Sequence, residues 1–248
     1  MVKVKDIYSF IDSFAPFSTQ MEKDNSGFML GDAEKEVTSV VTCLDIKRET
    51  IDLCKKTGAN LIVSHHPLIY HPINKFDYSD PDCKLLSELI KNDIAVIAAH
   101  TCFDKCDCGN GASMALKLGA DITYKYPDDP LCDVFEFNMS ITFEELSKRI
   151  DDCYKDDKAR KFKNNDKRIK KGIIIGGSGG RNRDFLLQIH DRYDILITSE
   201  FSYSNILLAE KLYFNIVEVG HGQSEFIFNE VMINKLKQIV KVVSSDKF

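Results

Sequence analysis

The chain has no tryptophan, only six prolines in 248 residues, and no hydrophobic run of membrane length. Without the roughly 18 to 20 consecutive apolar residues that a helical span needs, a transmembrane segment is not expected. The opening MVKVKDIYSFIDSF alternates charged and apolar residues and lacks the apolar centre of a secretory leader. Eight cysteines are about 3% of the chain, too few for a disulfide-stapled scaffold. Neither a collagenous repeat nor a long disordered tail fits a composition of 44% hydrophobic and 29% charged residues. Charge is not lopsided either. Lys plus Arg number 33 against 38 Asp plus Glu, a net charge of −5, which argues against general coating of nucleic acid or anionic lipid. No repeat of fixed period and no low-complexity tract is present. The expectation is a cytoplasmic protein with reduced cysteines and one large or two modest domains.

Six short apolar runs organise what remains, and most end in a residue able to do chemistry. They are Val40–Asp45, Asn60–His66, Ile94–His100, Gly172–Gly176, Tyr193–Glu200 and Phe214–His221. Continuous Val/Ile/Leu runs of this length suit strands buried on both faces. Amphipathic stretches Arg48–Lys56 and Asp82–Asn92 lie between them, and Ser224–Val240 reads as the longest helix, with Phe226, Val231, Ile233, Leu236 and Ile239 on one face. Alternating strand and helix predicts an α/β fold. Open α/β sheets collect ligands outside the carboxyl ends of their strands, so His66, His100, Glu200 and His221 are expected at such an edge. The clearest break is Tyr126-Pro-Asp-Asp-Pro130. Taken as a lobe boundary, it predicts two intertwined α/β lobes with mixed sheets. Residues 1–125 with 220–248 form the first and 126–219 the second, with a metal site in the cleft between them.

The metal expectation rests on three elements. His65 and His66 are adjacent at one strand end. His100 precedes Asp104 by four residues, and His221 precedes Glu225 by four, a spacing that shares a helical face. These donors exceed what one closed tetrahedral ion needs and point to two ions with open positions. Mixed imidazole and carboxylate ligation suits zinc, iron, manganese, cobalt or nickel without choosing among them.

His65-His66-Pro67, His100-Thr101-x-x-Asp104, Thr198-x-Glu200 and His221-x-x-Ser224-Glu225, in this order, resemble the NGG-interacting-factor-three family. Its members also go under the names GTP cyclohydrolase I type 2 and dinuclear metal-centre protein. Asp24-Asn-Ser-Gly27, Asp45 and Gly176-Gly-Ser-Gly179 also fall where that family's pattern has them, so the resemblance covers nearly the whole chain. It implies a pair of divalent ions per chain, with His66 and Asp104 on one, His65 and His221 on the other, and Glu225 bridging. It places His100 and Glu200 beside the centre as substrate or proton-carrying residues, which with Glu225 form the catalytic set. It also implies a homohexameric ring. Two departures stand out. Ser199 replaces the usual Gly before Glu200, and Phe201-Ser-Tyr-Ser-Asn205 lacks the histidine common there. The chain is also too short for the inserted domain of longer bacterial members.

Plainer features complete the reading. Cys102, Cys106 and Cys108 cluster beside Asp104 but match no standard zinc framework. Gly176–Gly180 lacks the Lys of a phosphate loop and the third Gly of the dinucleotide fingerprint, and reads as a tight turn. Residues 158–171 carry eight Lys or Arg and one Asp, and read as a hairpin with a solvated face turning at Asn164-Asn165-Asp166. Nucleic acid is not favoured as a partner, because Phe162 is the sole aromatic there. His71 and His190 have no partner pattern. The function expected is a dinuclear metal-dependent hydrolase acting on a nucleotide or similar small polar substrate through a metal-bridging hydroxide. The alternative is a metal-binding regulatory or interaction protein with little turnover.

Overall fold

A computed structural model describes residues 1–154 and 159–245. The first stretch runs α1 (Val4–Asp12), β1 (Gly27–Leu30), β2 (Val40–Cys43), α2 (Arg48–Thr57), β3 (Leu61–Ser64), α3 (Pro81–Lys91), β4 (Ala95–Ala98) and α4 (Thr101–Asp104). The second runs α5 (Asn110–Lys117), β5 (Asp121–Lys125), β6 (Cys132–Ile141), α6 (Phe143–Tyr154), β7 (Arg160–Phe162), β8 (Ile169–Ile175), α7 (Arg183–Ile189), β9 (Ile195–Thr198), α8 (Tyr203–Lys211), β10 (Asn215–Glu218) and α9 (His221–Glu225). The chain ends with α10 (Ile227–Leu236) and β11 (Val242–Ser244). All six apolar runs contain strands. No helix among the described residues is long and apolar enough to cross a membrane.

The chain divides into two compact units, Met1–Asp107 with the residues from Phe228 onward, and Cys108–Ile227. This division differs from the one read at Tyr126 and Gly220. Tyr126–Pro130 joins β5 to β6, which pair antiparallel from Asp121↔Glu136 to Lys125↔Asp133. A boundary there would cut a hairpin. α5 and α9 also fall in the second unit, so His221 and Glu225 belong to it.

In the first unit the sheet order is β1-β4-β3-β2-β11. Strands β11, β2, β3 and β4 are parallel, with Val40 opposite Leu61 and Leu61 opposite Ala95, while β1 pairs β4 antiparallel. Every residue of β2, β3 and β4 is buried, as expected of parallel strands covered on both faces. Ile51 and Cys54 of α2 and Leu89 of α3 pack on Val41, Ile62 and Val96. Helix α2 stops at Gly58, whose left-handed φ of 72° needs no Cβ, and α3 starts at Asp80, whose carboxylate caps the amides of Asp82 and Cys83 ahead of Pro81.

The second unit has the order β5-β6-β8-β9-β10-β7. β8, β9 and β10 are parallel, with Ile175 opposite Thr198 and Thr198 opposite Glu218. Its core gathers Ile173, Leu196 and Ile216 with Phe185, Phe214 and Tyr126. The basic segment is not the hairpin expected. β7 pairs β10, and two strands separate it from β8. The buried Asn215 side chain accepts hydrogen bonds from the amides of Asn164 and Asn165 and so fastens the turn to β10. Lys158 lies outside the described residues. Elsewhere in the segment Lys161 pairs with Asp151, Lys163 with Glu144 and Asp166, Lys170 with Glu136, and Arg160 with Glu218. Its charge is largely matched locally.

The Ser224–Val240 helix is also divided. α9 ends at Glu225, and α10 buries Ile227, Phe228, Met232 and Leu236, of which only Leu236 belongs to the face read from the sequence.

Candidate metal centre

Parallel register decides which side chains meet. Because Cys43, Ser64 and Ala98 are aligned across β2, β3 and β4, the residues that follow them leave the sheet at one carboxyl edge. Asp45, His65, His66 and His100 are those residues. In the second unit, alignment of Ile175, Thr198 and Glu218 delivers Gly177, Glu200 and His221 to the corresponding edge.

In the first unit one ring nitrogen from each of His65, His66 and His100 lies within 4.8 Å of the others. Each ring is held through Nδ1. His65, fully buried, donates to the Ala99 carbonyl at 2.9 Å. His66 donates to Asp45 Oδ1 at 2.8 Å, and His100 to Asp24 Oδ1 at 2.9 Å. A donating Nδ1 leaves Nε2 as the lone-pair nitrogen, which is how metal-binding imidazoles are oriented. Nε2 of His65 lies 3.8 Å from Asp104 Oδ1, a gap that two ligand bonds of about 2.1 Å each can span. Asp104 thus stands beside His65. The structure also brings His100 into the donor group rather than merely near it.

The Asp24 carboxylate that holds His100 is almost wholly buried. It also accepts from the Thr101 amide at 3.0 Å and hydroxyl at 2.5 Å, and from the Ser26 hydroxyl at 2.9 Å. Burial opposes its charge, yet the hydrogen bonds from His100, Thr101 and Ser26 win and hold its pKa well below the ordinary carboxylate range.

In the second unit His221 and Glu225 face one another across one turn of α9, with Nε2 to Oε1 at 3.1 Å. Nδ1 of His221 donates to Glu200 Oε1 at 2.8 Å. Glu225, hydrogen-bonded to the ring, raises the His221 pKa to about 9 against the opposing desolvation, and Glu200 adds to the rise. Glu200 therefore orients the His221 ring. Gly177, with φ of 58°, runs against this pair, and a Cβ there would stand 3.3 Å from Glu225 Oε1. The glycine turn thus makes room for the donors.

The donor set fits divalent first-row ions: imidazole nitrogens in a fixed tautomer, with carboxylate oxygens beside them. Cys102 is buried, and that burial pushes its thiol up to about 11. No cysteine belongs to the metal-capable groups among the described residues. His190 is a surface residue whose Nδ1 bonds the Leu187 carbonyl. Asp24 and Asp45 were not read from the sequence as imidazole partners. Asp45 carries a usable signal, because it ends an apolar run as the histidines do. Asp24 lies in a loop, where its one signal is the Asp24-Asn-Ser-Gly27 stretch of the family pattern.

A curated relative from Clostridium acetobutylicum, named GTP cyclohydrolase 1 type 2 homolog, is 30% identical over 244 residues, 95% of this chain and 90% of the relative. A Methanocaldococcus jannaschii protein of the same name is 28% identical over 251 residues, 99% of this chain and all of that protein. Among solved structures, reduced HcgD from Methanocaldococcus jannaschii superposes with a TM-score of 0.87 at 26% identity, covering 99% of this chain and 98% of the other. Staphylococcus aureus protein SA1388 shares the fold, with a TM-score of 0.87 at 20% identity over 100% of this chain and 97% of the other. Residues 2–247 match the family described as Duf34/NIF3 (NGG1p interacting factor 3), and the chain belongs to that family.

Proposed function

We propose that the protein is a dinuclear metal-dependent hydrolase acting on a nucleotide or a similar small polar molecule. The observation that carries this reading is the common orientation of four imidazoles. Nδ1 of His65, His66, His100 and His221 each meets an oxygen acceptor, which turns Nε2 the other way, in His221 toward Glu225 Oε1 at 3.1 Å. In this reading His65, His66 and Asp104 of the first unit and His221 and Glu225 of the second are the side chains that would hold the ions. Bound divalent ions supply Lewis acidity and a water acidic enough to attack near neutral pH. Asp45 and Glu200 keep the His66 and His221 rings in their liganding orientation, and the Ala99 carbonyl does the same for His65. Asp24 keeps Nε2 of His100 directed to the donor group, where it can accept or return a proton. The relatives' name supports a purine nucleotide as the substrate, and family membership supports assembly as a homohexamer.

The test is metal content of protein purified without an affinity-metal column, followed by hydrolysis assays on the same sample. Close to two ions per chain, lost in a His65→Ala, His221→Ala double variant together with turnover, supports the reading. A chain that carries no metal and takes up none from manganese, iron or zinc defeats it.

A further inference from the structure

Beside His66 and its partner Asp45, within the first unit, lies an open cavity of about 490 Å³. That volume falls in the range of small-molecule sites. Its lining runs from His66 along the segment that follows, through Tyr70 and His71 to Lys75, and takes in Asp80 and Asp82 at the start of α3. Of the lining residues the proposed centre uses only His66 and its orienting partner Asp45.

Tyr70 dominates the lining. Tyr70 is 44% exposed, so part of its aromatic surface stays open to a ligand. Edge contacts nonetheless fix its place, with the His71 ring at 4.9 Å and the His100 ring at 6.4 Å. The backbone before it is tied as well, because the Asn25 amide donates to the Ile69 carbonyl at 2.5 Å. Asn25 adjoins Asp24, so the loop that orients His100 also steadies Tyr70. Carboxylates outnumber cations in the lining, with Asp45, Asp80 and Asp82 against Lys75. That balance disfavours phosphate and favours a group that donates hydrogen bonds.

We infer that this cavity binds a flat heteroaromatic ring of nucleobase size bearing N–H donors, and that Tyr70 stacks on it as the specificity-determining residue. The inference rests on the metal-hydrolase reading only for its consequence, which is that a ring held here lies beside Nε2 of His66. Any phosphate on the same molecule points out of the cavity.

Calorimetric titration of the full-length, metal-containing protein with guanosine, adenosine, cytidine, uridine and ribose 5-phosphate tests it. At least one nucleoside is expected to bind, with roughly tenfold loss in Tyr70→Ala from the missing stacking surface. Tyr70→Phe should bind as the wild type does, and so should Lys75→Ala, while ribose 5-phosphate should fail to compete. Three results overturn the inference: no nucleoside binds, Tyr70→Ala binds unchanged, or Lys75→Ala abolishes binding as an anion site would require. Metal content measured on the same samples keeps the two readings apart. Metal retained in Tyr70→Ala with nucleoside binding unchanged defeats the cavity alone, whereas nucleoside binding to a chain that holds no metal defeats the hydrolase alone.

Discussion

Oδ1 of Asp24 accepts a hydrogen bond from Nδ1 of His100 at 2.9 Å, across 76 residues of sequence. The same carboxylate gathers the Thr101 amide and hydroxyl and the Ser26 hydroxyl, and Ser26 in turn accepts from the His100 amide at 3.0 Å. One acidic side chain thus fastens an N-terminal loop to the end of β4. Local structure and the candidate site therefore share a keystone.

Replacing Asp24 by Asn tests that keystone. Its pKa is depressed in the folded chain, so its stabilisation is complete above the unfolded carboxylate pKa of about 3.9 and is lost as pH falls through the lower folded value. Asp24→Asn should cost about 2 kcal/mol at pH 7, since several buried hydrogen bonds lose a charged acceptor. The gap to wild type should narrow at pH 3. Urea unfolding at the two pH values measures this, and an equal gap at both would deny the carboxylate its charged role.

Two glycines form a matched pair for the second unit. At Gly177 a Cβ would stand 3.3 Å from Glu225 Oε1 on a backbone with φ of 58°, whereas at Gly222 a Cβ meets nothing within 4 Å. Gly177→Ala should cost about 1 kcal/mol of backbone strain and displace Glu225, which lowers metal retention during dialysis. Gly222→Ala, in the first turn of α9, should retain metal as the wild type does. Equal retention by both variants would mean that the glycine turn does not shape the donor pair.

Gly172 of β8 tests the core of the same unit. A Cβ there would come within 2.3 Å of the Phe135 ring and 2.8 Å of Ile195. Gly172→Ala should therefore destabilise by about 1–3 kcal/mol through overpacking. Adding Phe135→Leu should recover part of the loss, so the double variant should be more stable than the sum of the two single changes. Additive losses in urea unfolding would place the strain elsewhere.

The way these contacts arise explains what the sequence disclosed. Val40–Asp45, Asn60–His66 and Ile94–His100 announced themselves because parallel strands buried on both faces must be continuously apolar. Their last residues then reach one edge by register alone. β5 and β6 gave no such signal. β5 is largely exposed, and β6 mixes core residues such as Val134 with the exposed Met139. Tyr126–Pro130 connects β5 to β6, and a hairpin connection and a lobe boundary both call for turn residues. The imidazoles were legible by type and spacing. Their tautomers were not, because Asp24, the Ala99 carbonyl and Glu200 reach them only through tertiary structure. Nor could composition reveal that Gly177 yields its side-chain space to Glu225.

Asp45 gives the sharpest test of whether imidazole orientation governs metal affinity. Its Oδ1 accepts the Nδ1 proton of His66 at 2.8 Å, yet the side chain is half exposed. Solvent screening at that exposure means that its charge adds little to fold stability. What it contributes is the His66 tautomer. Asp45→Ala removes the acceptor and should lower zinc affinity roughly 10- to 100-fold, the usual consequence of losing an orienting partner. Asp45→Asn keeps an oxygen that can accept the same proton, so it should recover most of that loss if orientation is the cause. Should Asn behave like Ala, the negative charge near the ion would matter more than the tautomer. Competition for zinc against a chromophoric chelator separates these outcomes, and thermal melting of both variants in chelator should show no more than a small difference from wild type.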